Sequence, residues 1–188
     1  EVSLGAESEI LVRSPDLFDG YWNGASDAVL DAEGWLHTGD VGAWADGRLR
    51  IVDRARDFIV TSGGKTLSPS FIENALRASP YVAEVVVFGH DRKYVAALIE
   101  IDYDTVSDWA RANGAAYTGF TSLAQHPAVE RLLQGEIDRA NKKFARVEQI
   151  KAFRLLETQL TAEDEELTPT MKLKRSLVQK KYAPLIES

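Results

Sequence analysis

Cysteine is absent from the 188 residues, so the chain can build neither a disulfide nor a thiolate metal site, and its composition suits a reducing cytoplasm. Histidine is nearly as scarce. His37, His90 and His126 are scattered, which argues against a histidine-based zinc site, and no metal ligand set is expected. An excess of positive charge is also missing: 22 Lys and Arg stand against 29 Asp and Glu, for a net charge of −7. A nucleic-acid partner would need a basic face for its phosphates, so that class is set aside. No apolar run approaches the roughly 20 residues that a membrane-spanning helix requires, and no segment reads as a signal peptide. Internal repeats and low-complexity segments are lacking too.

What remains is a globular composition, 45% hydrophobic and 27% charged, sufficient for one core or two small ones. The chain opens at Glu1 without a methionine, and "EVSLGAESEILVR" reads as the interior of a domain, so a fragment of a longer protein is expected.

Glu9–Arg13 is a strand candidate, and residues 26–30 a helical turn. Trp44 to Val52 reads as a hairpin with Asp46-Gly47 as its turn. The alternating charges of Asp53-Arg54-Ala55-Arg56-Asp57 then interrupt the apolar pattern and read as a linker. Beyond it a strand is expected over residues 58–62. Ser68 as N-cap and Pro69 in the first turn open a helix running to about Ala78. Strands follow over 82–89 and 94–101, then a helix closed by Asn113-Gly114. From Pro127 to about Phe144, apolar residues recur at Val129, Leu132, Leu133, Ile137, Ala140 and Phe144, the spacing of one helix face. A strand over 150–156, an acidic loop, a basic loop and a helix around Ser176–Tyr182 complete the chain. Interleaved strands and helices predict a small α+β domain over 58–188, a hinge over 53–57, and a β-rich tail of a larger domain over 1–52. Severed strands in that tail would expose edges and apolar surface.

"TSGGKTLSP", residues 61–69, raises a question, because Gly64-Lys65-Thr66 ends as a phosphate-binding P-loop does. That pattern needs a glycine five positions before Gly64, and Ile59 stands there, inside the strand. The nest of N–H groups that wraps a phosphate cannot be built at this spacing.

Three polar clusters stand out: "GWLHTGD" (34–40), "DRARDFIVTSGGKTLSP" (53–69) and "LTPTMKLKR" (167–175). Each has a plain reading when taken alone. Thr38-Gly39-Asp40 is compatible with a turn in which the aspartate bonds backbone, and "MKLKR" with an edge strand guarded by lysines. The acidic residues 163–166 read as a solvated loop, and Trp22, Trp35, Trp44 and Trp109 as packing residues.

In order and spacing, however, the three clusters resemble those of the adenylate-forming superfamily, which contains acyl-CoA synthetases, firefly-type luciferases and peptide-synthetase adenylation domains. Within it the chain is most similar to bacterial long-chain fatty-acid–CoA ligases. "EILVRSPDLFDGYW" resembles the end of that family's large N-terminal domain, "GWLHTGDVGAW…GRLRIVDRARDFIVTSGGK" its ribose-binding and hinge motifs, and "LTPTMKLKR" its C-terminal lysine motif. The fold implied is the small C-terminal α+β domain with a β-rich remnant of the N-terminal domain.

The resemblance also implies roles. Asp40 matches the aspartate that accepts both ribose hydroxyls of ATP, with Thr38 beside it in support, and Arg54 matches an arginine near ribose and phosphate. Arg56 and Asp57 match the hinge. Lys172 matches the lysine that offsets charge as a fatty-acid carboxylate meets the α-phosphate, and Arg175 the basic residue that closes the motif as support. Met171 stands where the commoner motif has glycine, a form that resembles the long-chain subgroup. Lys174 competes with Lys172 for the catalytic role. Ser62, Gly63, Gly64 and Lys65 match the face that meets coenzyme A after the small domain rotates, the glycines permitting close backbone approach to the pantetheine arm.

The expected reaction is ATP-dependent formation of an acyl-adenylate, with Mg2+ countering phosphate charge, followed by acyl transfer to coenzyme A. The missing N-terminal domain would supply the phosphate loop, adenine pocket and acyl tunnel, so the fragment alone is expected to be inactive. A cytoplasmic location, compatible with peripheral membrane attachment, is expected. Other acids (aryl or medium-chain), a carrier-protein acceptor, a luciferase-like oxidase, and a non-catalytic module of the same fold remain open at this point.

Overall fold

The computed structural model describes residues 1–18, 30–170 and 172–187. Trp22, Met171 and most of the turn expected over 26–30 lie outside them. Within Glu1–Phe58, the first of two compact units, alternating sequence gives strands β1 (Val2–Leu4), β2 (Glu9–Val12), β3 (Leu36–Ala45) and β4 (Arg48–Arg54). They form one antiparallel sheet in the order β1-β2-β3-β4. Asp46 and Gly47 turn the β3–β4 hairpin, with φ of 51° and 71°. The five charged and small residues expected as a linker are not all outside the sheet. Asp53 and Arg54 finish β4, with Asp53 buried at 6% exposure, and Ala55–Asp57 forms a 3₁₀ turn.

Trp44 departs from its expected packing role, at 54% exposure, beside Ile51 at 69% and Val52 at 42%. The reason is geometric: β2 pairs with β3 only as far as Val41, while the β3–β4 hairpin continues to Ala45 and Arg48. Trp35 is partly buried, and the Arg13 guanidinium lies 4.4 Å over its ring.

The second unit, Ile59–Ser188, begins with a short hairpin of β5 (Ile59–Val60) and β6 (Thr66–Leu67). The strand expected over 58–62 is thus shorter, because Thr61 already enters the turn. Ser68 then accepts the Phe71 N–H and Pro69 occupies the first turn of α1 (Pro69–Arg77). β7 (Val82–Phe88) and β8 (Val95–Ile101) pair antiparallel, and α2 (Tyr103–Ala112) ends beside Asn113 and Gly114, the glycine at φ 67°. A short helix α3 (Phe120–Ala124), not expected from the sequence, precedes α4 (Pro127–Asn141). β9 (Ile150–Leu155) adds to β8 in parallel, giving the order β7-β8-β9. α5 (Arg175–Lys181) and α6 (Ala183–Glu187) close the chain.

Alternation along the strands builds two cores. Val85, Val87, Ala97 and Ile99 face Ile72 and Leu76 of α1 and Val129, Leu133 and Ile137 of α4. Val86, Phe88 and Leu98 point the other way, against Leu156, Leu160, Leu167 and Val178 of the C-terminal segment. Each such side chain contributes about 1.5–3 kcal/mol on full burial, so the segment after β9 is held over the sheet by its apolar residues. Phe144, expected on the α4 stripe, reaches the first core from the turn after the helix. Among the described residues no helix is long and apolar enough to cross a membrane.

Candidate functional site

Thr38, Gly39 and Asp40 sit in a bulge. β3 carries extra residues between its Leu11–His37 and Glu9–Val41 pairings, so these three stand out from the ladder with β2. The bulge is pinned from both sides. The Thr38 hydroxyl donates to the Ile10 carbonyl at 2.7 Å and accepts the Asp40 N–H at 3.1 Å. The Gly39 N–H donates to Glu9 Oε1 at 2.9 Å, with Gly39 at φ 69°, a conformation that favours glycine. The turn therefore uses the threonine side chain rather than the aspartate, whose carboxylate is left for another partner.

That partner is Arg54. Asp40 and Arg54 are paired across β3 and β4, and Arg54 Nε lies 3.0 Å from Asp40 Oδ1. Glu9 is also bound by His37 Nδ1 at 2.8 Å, and Asp31 approaches His37 Nε2 at 3.6 Å. Although burial opposes ionisation of Glu9, the His37 and Gly39 hydrogen bonds hold its carboxyl below the ordinary value. The hydrogen bond with Glu9, reinforced by the nearby Asp31 charge, raises the His37 pKa above its usual value against a smaller opposing effect of burial. Arg56 and Asp57 occupy the 3₁₀ turn, with Arg56 77% exposed and Nε 3.9 Å from Asp57 Oδ1.

Ser62, Gly63, Gly64 and Lys65 form the β5–β6 turn. The Thr61 N–H donates to the Lys65 carbonyl at 2.9 Å and the Gly64 N–H to the Thr61 carbonyl at 2.8 Å. Gly64, at φ 72°, is required by the turn itself. At Gly63 an added Cβ would meet only Thr61 Oγ1, at 3.9 Å, so that side is open. The opening is one wall of a cavity of about 420 Å³. Ser62, Gly63 and Lys65 line it together with Lys93, Tyr94, Arg146, Val147 and Lys151. Four cations converge there from the hairpin, the β7–β8 turn, the loop after α4 and β9. Such a place attracts an anion of several charges.

Lys172 is exposed on a loop closed on itself. Leu167 bridges Leu173, the Thr168 N–H donates to the Lys172 carbonyl at 2.8 Å, and the Lys172 N–H donates to Thr168 Oγ1 at 2.9 Å. The edge strand expected over "MKLKR" is reduced to this single bridge, since Lys174 caps α5 and Arg175 begins it. Among the described residues no hydrogen bond or ion pair engages the Lys172 ammonium. The Arg175 fork, by contrast, reaches Glu73 on α1, with Nη1 2.6 Å from Oε1 and Nη2 2.7 Å from Oε2.

The acidic run expected as solvated splits. Glu163 to Glu165 are exposed, whereas Glu166 is buried at 1% exposure and binds Lys181 Nζ, the Tyr182 hydroxyl at 2.9 Å and the Thr161 N–H at 3.2 Å.

Sequence reasoning did not pick out Glu9, Glu73, Lys93, Arg146, Lys151 or Glu166. For Glu73 a signal exists: it falls on the stripe of Pro69, Ile72 and Leu76, so helical spacing places a carboxylate among buried positions. Lys93, Arg146 and Lys151 carry no such signal, because they stand on segments far in sequence from Lys65 and share no local pattern with it.

Residues 56–188 match the family described as AMP-binding enzyme C-terminal domain. The chain is similar to the long-chain-fatty-acid–CoA ligase FadD15 of Mycobacterium tuberculosis, 37% identical over 188 residues, covering 98% of this chain and 31% of that protein. It is also similar to long-chain-fatty-acid–CoA ligase 1 of Homo sapiens, 33% identical over 175 residues, covering 90% of this chain and 25% of that protein. The chain thus spans about a third of FadD15 and about a quarter of the human relative.

Among solved structures it resembles the adenylation domain of a carboxylate reductase from Mycobacterium chelonae, with TM-score 0.77, 24% identity, and coverage of 95% of this chain and 27% of that one. It also resembles o-succinylbenzoate CoA synthetase (MenE) from Bacillus subtilis, with TM-score 0.66, 22% identity, and coverage of 95% and 33%. At those identities the likeness establishes the fold, that of adenylate-forming enzyme domains.

Proposed function

The chain belongs to the AMP-binding enzyme C-terminal domain family, and on that premise we propose that it is the C-terminal part of an AMP-forming long-chain fatty-acid–CoA ligase. The observation that carries the reading is the separation of two basic places within Ile59–Ser188. Exposed Lys172 lies on the segment packed over Val86 and Leu98, and none of the cavity-lining cations belongs to its loop. A two-step ligase needs one cation for adenylation and another anion-binding place for the acceptor. The names of the relatives support the fatty acid and coenzyme A as substrates.

In the first step a carboxylate oxygen attacks the α-phosphorus of ATP and pyrophosphate leaves. Two anions converge, and Lys172 offsets the charge that builds up between them. Asp40 accepts the ribose hydroxyls through its two oxygens, held in orientation by Arg54. The described residues contain no cluster of His, Asp and Glu that could hold a metal ion. The Mg2+ expected with ATP therefore finds no ligand set of that kind among them. Residues 53–57 act as the hinge between a tail of the N-terminal domain (1–52) and the mobile C-terminal domain (58–188). In the second step the thiol sulfur of coenzyme A attacks the acyl carbonyl, loses its proton and displaces AMP. Ser62–Lys65 meet the pantetheine arm, and the cations around the cavity meet the phosphates at its nucleotide end. A carrier-protein acceptor brings no such nucleotide, so the cavity favours coenzyme A.

Measuring the two half-reactions of the full-length enzyme tests this. Lys172→Ala is expected to depress fatty-acid-dependent ATP–pyrophosphate exchange while sparing thioester formation from preformed acyl-adenylate. Equal loss in both would sink the assignment. The isolated 188 residues are expected to lack ligase activity.

A further inference from the structure

Glu73 is a carboxylate at 1% exposure in a helix whose neighbouring side chains, Ile72 and Leu76, are core. Burying a charge is costly unless it is both paired and hydrogen-bonded. Here it is both. Its Oε1 accepts the Val87 N–H at 2.9 Å, on the outer side of β7, which is the edge strand of the sheet. The same carboxylate receives the two nitrogens of the Arg175 fork at 2.6 and 2.7 Å, and Arg77 approaches Oε2 at 3.4 Å. The Arg175 side chain is 19% exposed. The contact therefore wraps the edge of β7, joining α1 on one face of the sheet to α5 on the other.

Arg175 is the first residue of α5 and follows the Lys172 loop directly. Arg175 Nη1 also lies 3.5 Å from the Val87 carbonyl, a long contact beside the Glu73 pair, and the loop's remaining hydrogen bonds are internal or come from its own segment. Thr168 closes onto Lys172, and the Lys174 N–H donates to the Glu166 carbonyl at 2.8 Å, with Glu166 in turn held by Lys181 and Tyr182. These bonds define the shape of the loop but do not fix where it stands over the sheet. Leu167 and Val178 anchor it apolarly, a contact that tolerates sliding. A bidentate arginine–carboxylate pair is directional, and this one crosses 102 residues of sequence to a helix locked in the main core.

We infer that Glu73 is a positioning residue for Lys172: through Arg175 it fixes the loop that presents the ammonium. The inference rests on the reading of Lys172 as the adenylation lysine. It assigns Glu73 to one half-reaction only. The β5–β6 hairpin is built by its own backbone bonds and joins α1 through the Ser68 cap, neither of which involves Glu73.

Glu73→Gln retains the volume and an acceptor for the Val87 N–H while removing the charge that holds the fork. In the full-length enzyme it is expected to lower the adenylation rate about a hundredfold, the order of loss that a roughly 1 Å misplacement causes, and to leave thioester formation from preformed acyl-adenylate near wild type. In a Lys172→Ala background the same substitution is expected to cost no further adenylation activity, because the group it positions is gone. A merely structural role predicts otherwise: parallel loss in both half-reactions, or additional loss in the Lys172→Ala background. Either result, or unchanged adenylation by Glu73→Gln, overturns the inference. If Lys172→Ala alone leaves adenylation intact, the reading of Lys172 fails first and takes the inference with it. Should Glu73→Gln lose its cooperative unfolding transition, Arg175→Lys carries the same comparisons, since it keeps the charge and loses the fork.

Discussion

Asp40 and Arg54 face each other across β3 and β4, with Arg54 Nε 3.0 Å from Asp40 Oδ1, although the aspartate stands in a bulge and the arginine ends a strand. The pair is exposed at 26% and 54%, so it contributes little to stability. Its value lies in orientation, since the arginine restrains the carboxylate through Oδ1.

Asp40→Asn is accordingly expected to leave the melting temperature almost unchanged and to damage ATP use. Losing a charge-assisted hydrogen bond costs about 2 kcal/mol, roughly thirtyfold in kcat/KM for ATP. Steady-state kinetics with ATP as the varied substrate check this. A KM change confined to coenzyme A would contradict it.

The cavity beside Gly63 makes a different prediction. Lys93→Ala and Arg146→Ala are each expected to raise the KM for coenzyme A roughly fivefold, equivalent to about 1 kcal/mol for an exposed charge contact. The KM for ATP should not follow. The penalty should shrink at high salt and vanish when phosphate-free pantetheine replaces coenzyme A. A penalty of equal size with pantetheine would show that these cations do not meet phosphates.

Glu100 gives the second unit a pH dependence near neutrality. It is the one acidic residue of the central strand β8, at 7% exposure, and lies opposite Glu84 on β7. Burial, reinforced by Glu84, Glu166 and Asp102 and opposed by the Leu160 N–H, pushes its carboxyl up to about 7. The folded state therefore holds a proton that the unfolded chain releases nearer the ordinary carboxyl value of 4.5. The contribution of Glu100 to stability is greatest below that lower value and falls as pH rises through about 7, by up to roughly 3 kcal/mol. Glu100→Gln is expected to flatten this slope and to stabilise the chain at pH 8 relative to wild type. Urea unfolding of the 188-residue chain across pH provides the measurement. A wild-type stability that rises between pH 5 and 7 while Glu100→Gln stays flat would refute the assignment.

Features set by a few neighbouring residues were legible in the sequence. Asp46-Gly47, Ser68-Pro69 and Asn113-Gly114 mark a turn, a helix start and a helix end because backbone dihedrals and capping bonds are local. The apolar runs that became β7 and β8 were legible as strands, and the stripe of α4 follows from the helix period. The order of the three polar clusters pointed to the family before any contact was known.

Tertiary structure decided the rest. An irregularity at Val52 of β4, between the Val41–Asp53 and Gly42–Ile51 pairings, sets the register that brings Arg54 to Asp40, and a strand pattern does not encode a bulge. Glu166 reads as part of an acidic loop until the fold supplies Lys181 and Tyr182. Lys65, Lys93, Arg146 and Lys151 become one basic cavity only where their loops converge. Glu73 meets Arg175 only because two layers close around the same strand edge. Sequence determines what each residue can bond. Which partner it finds is a property of packing between segments far apart in the chain.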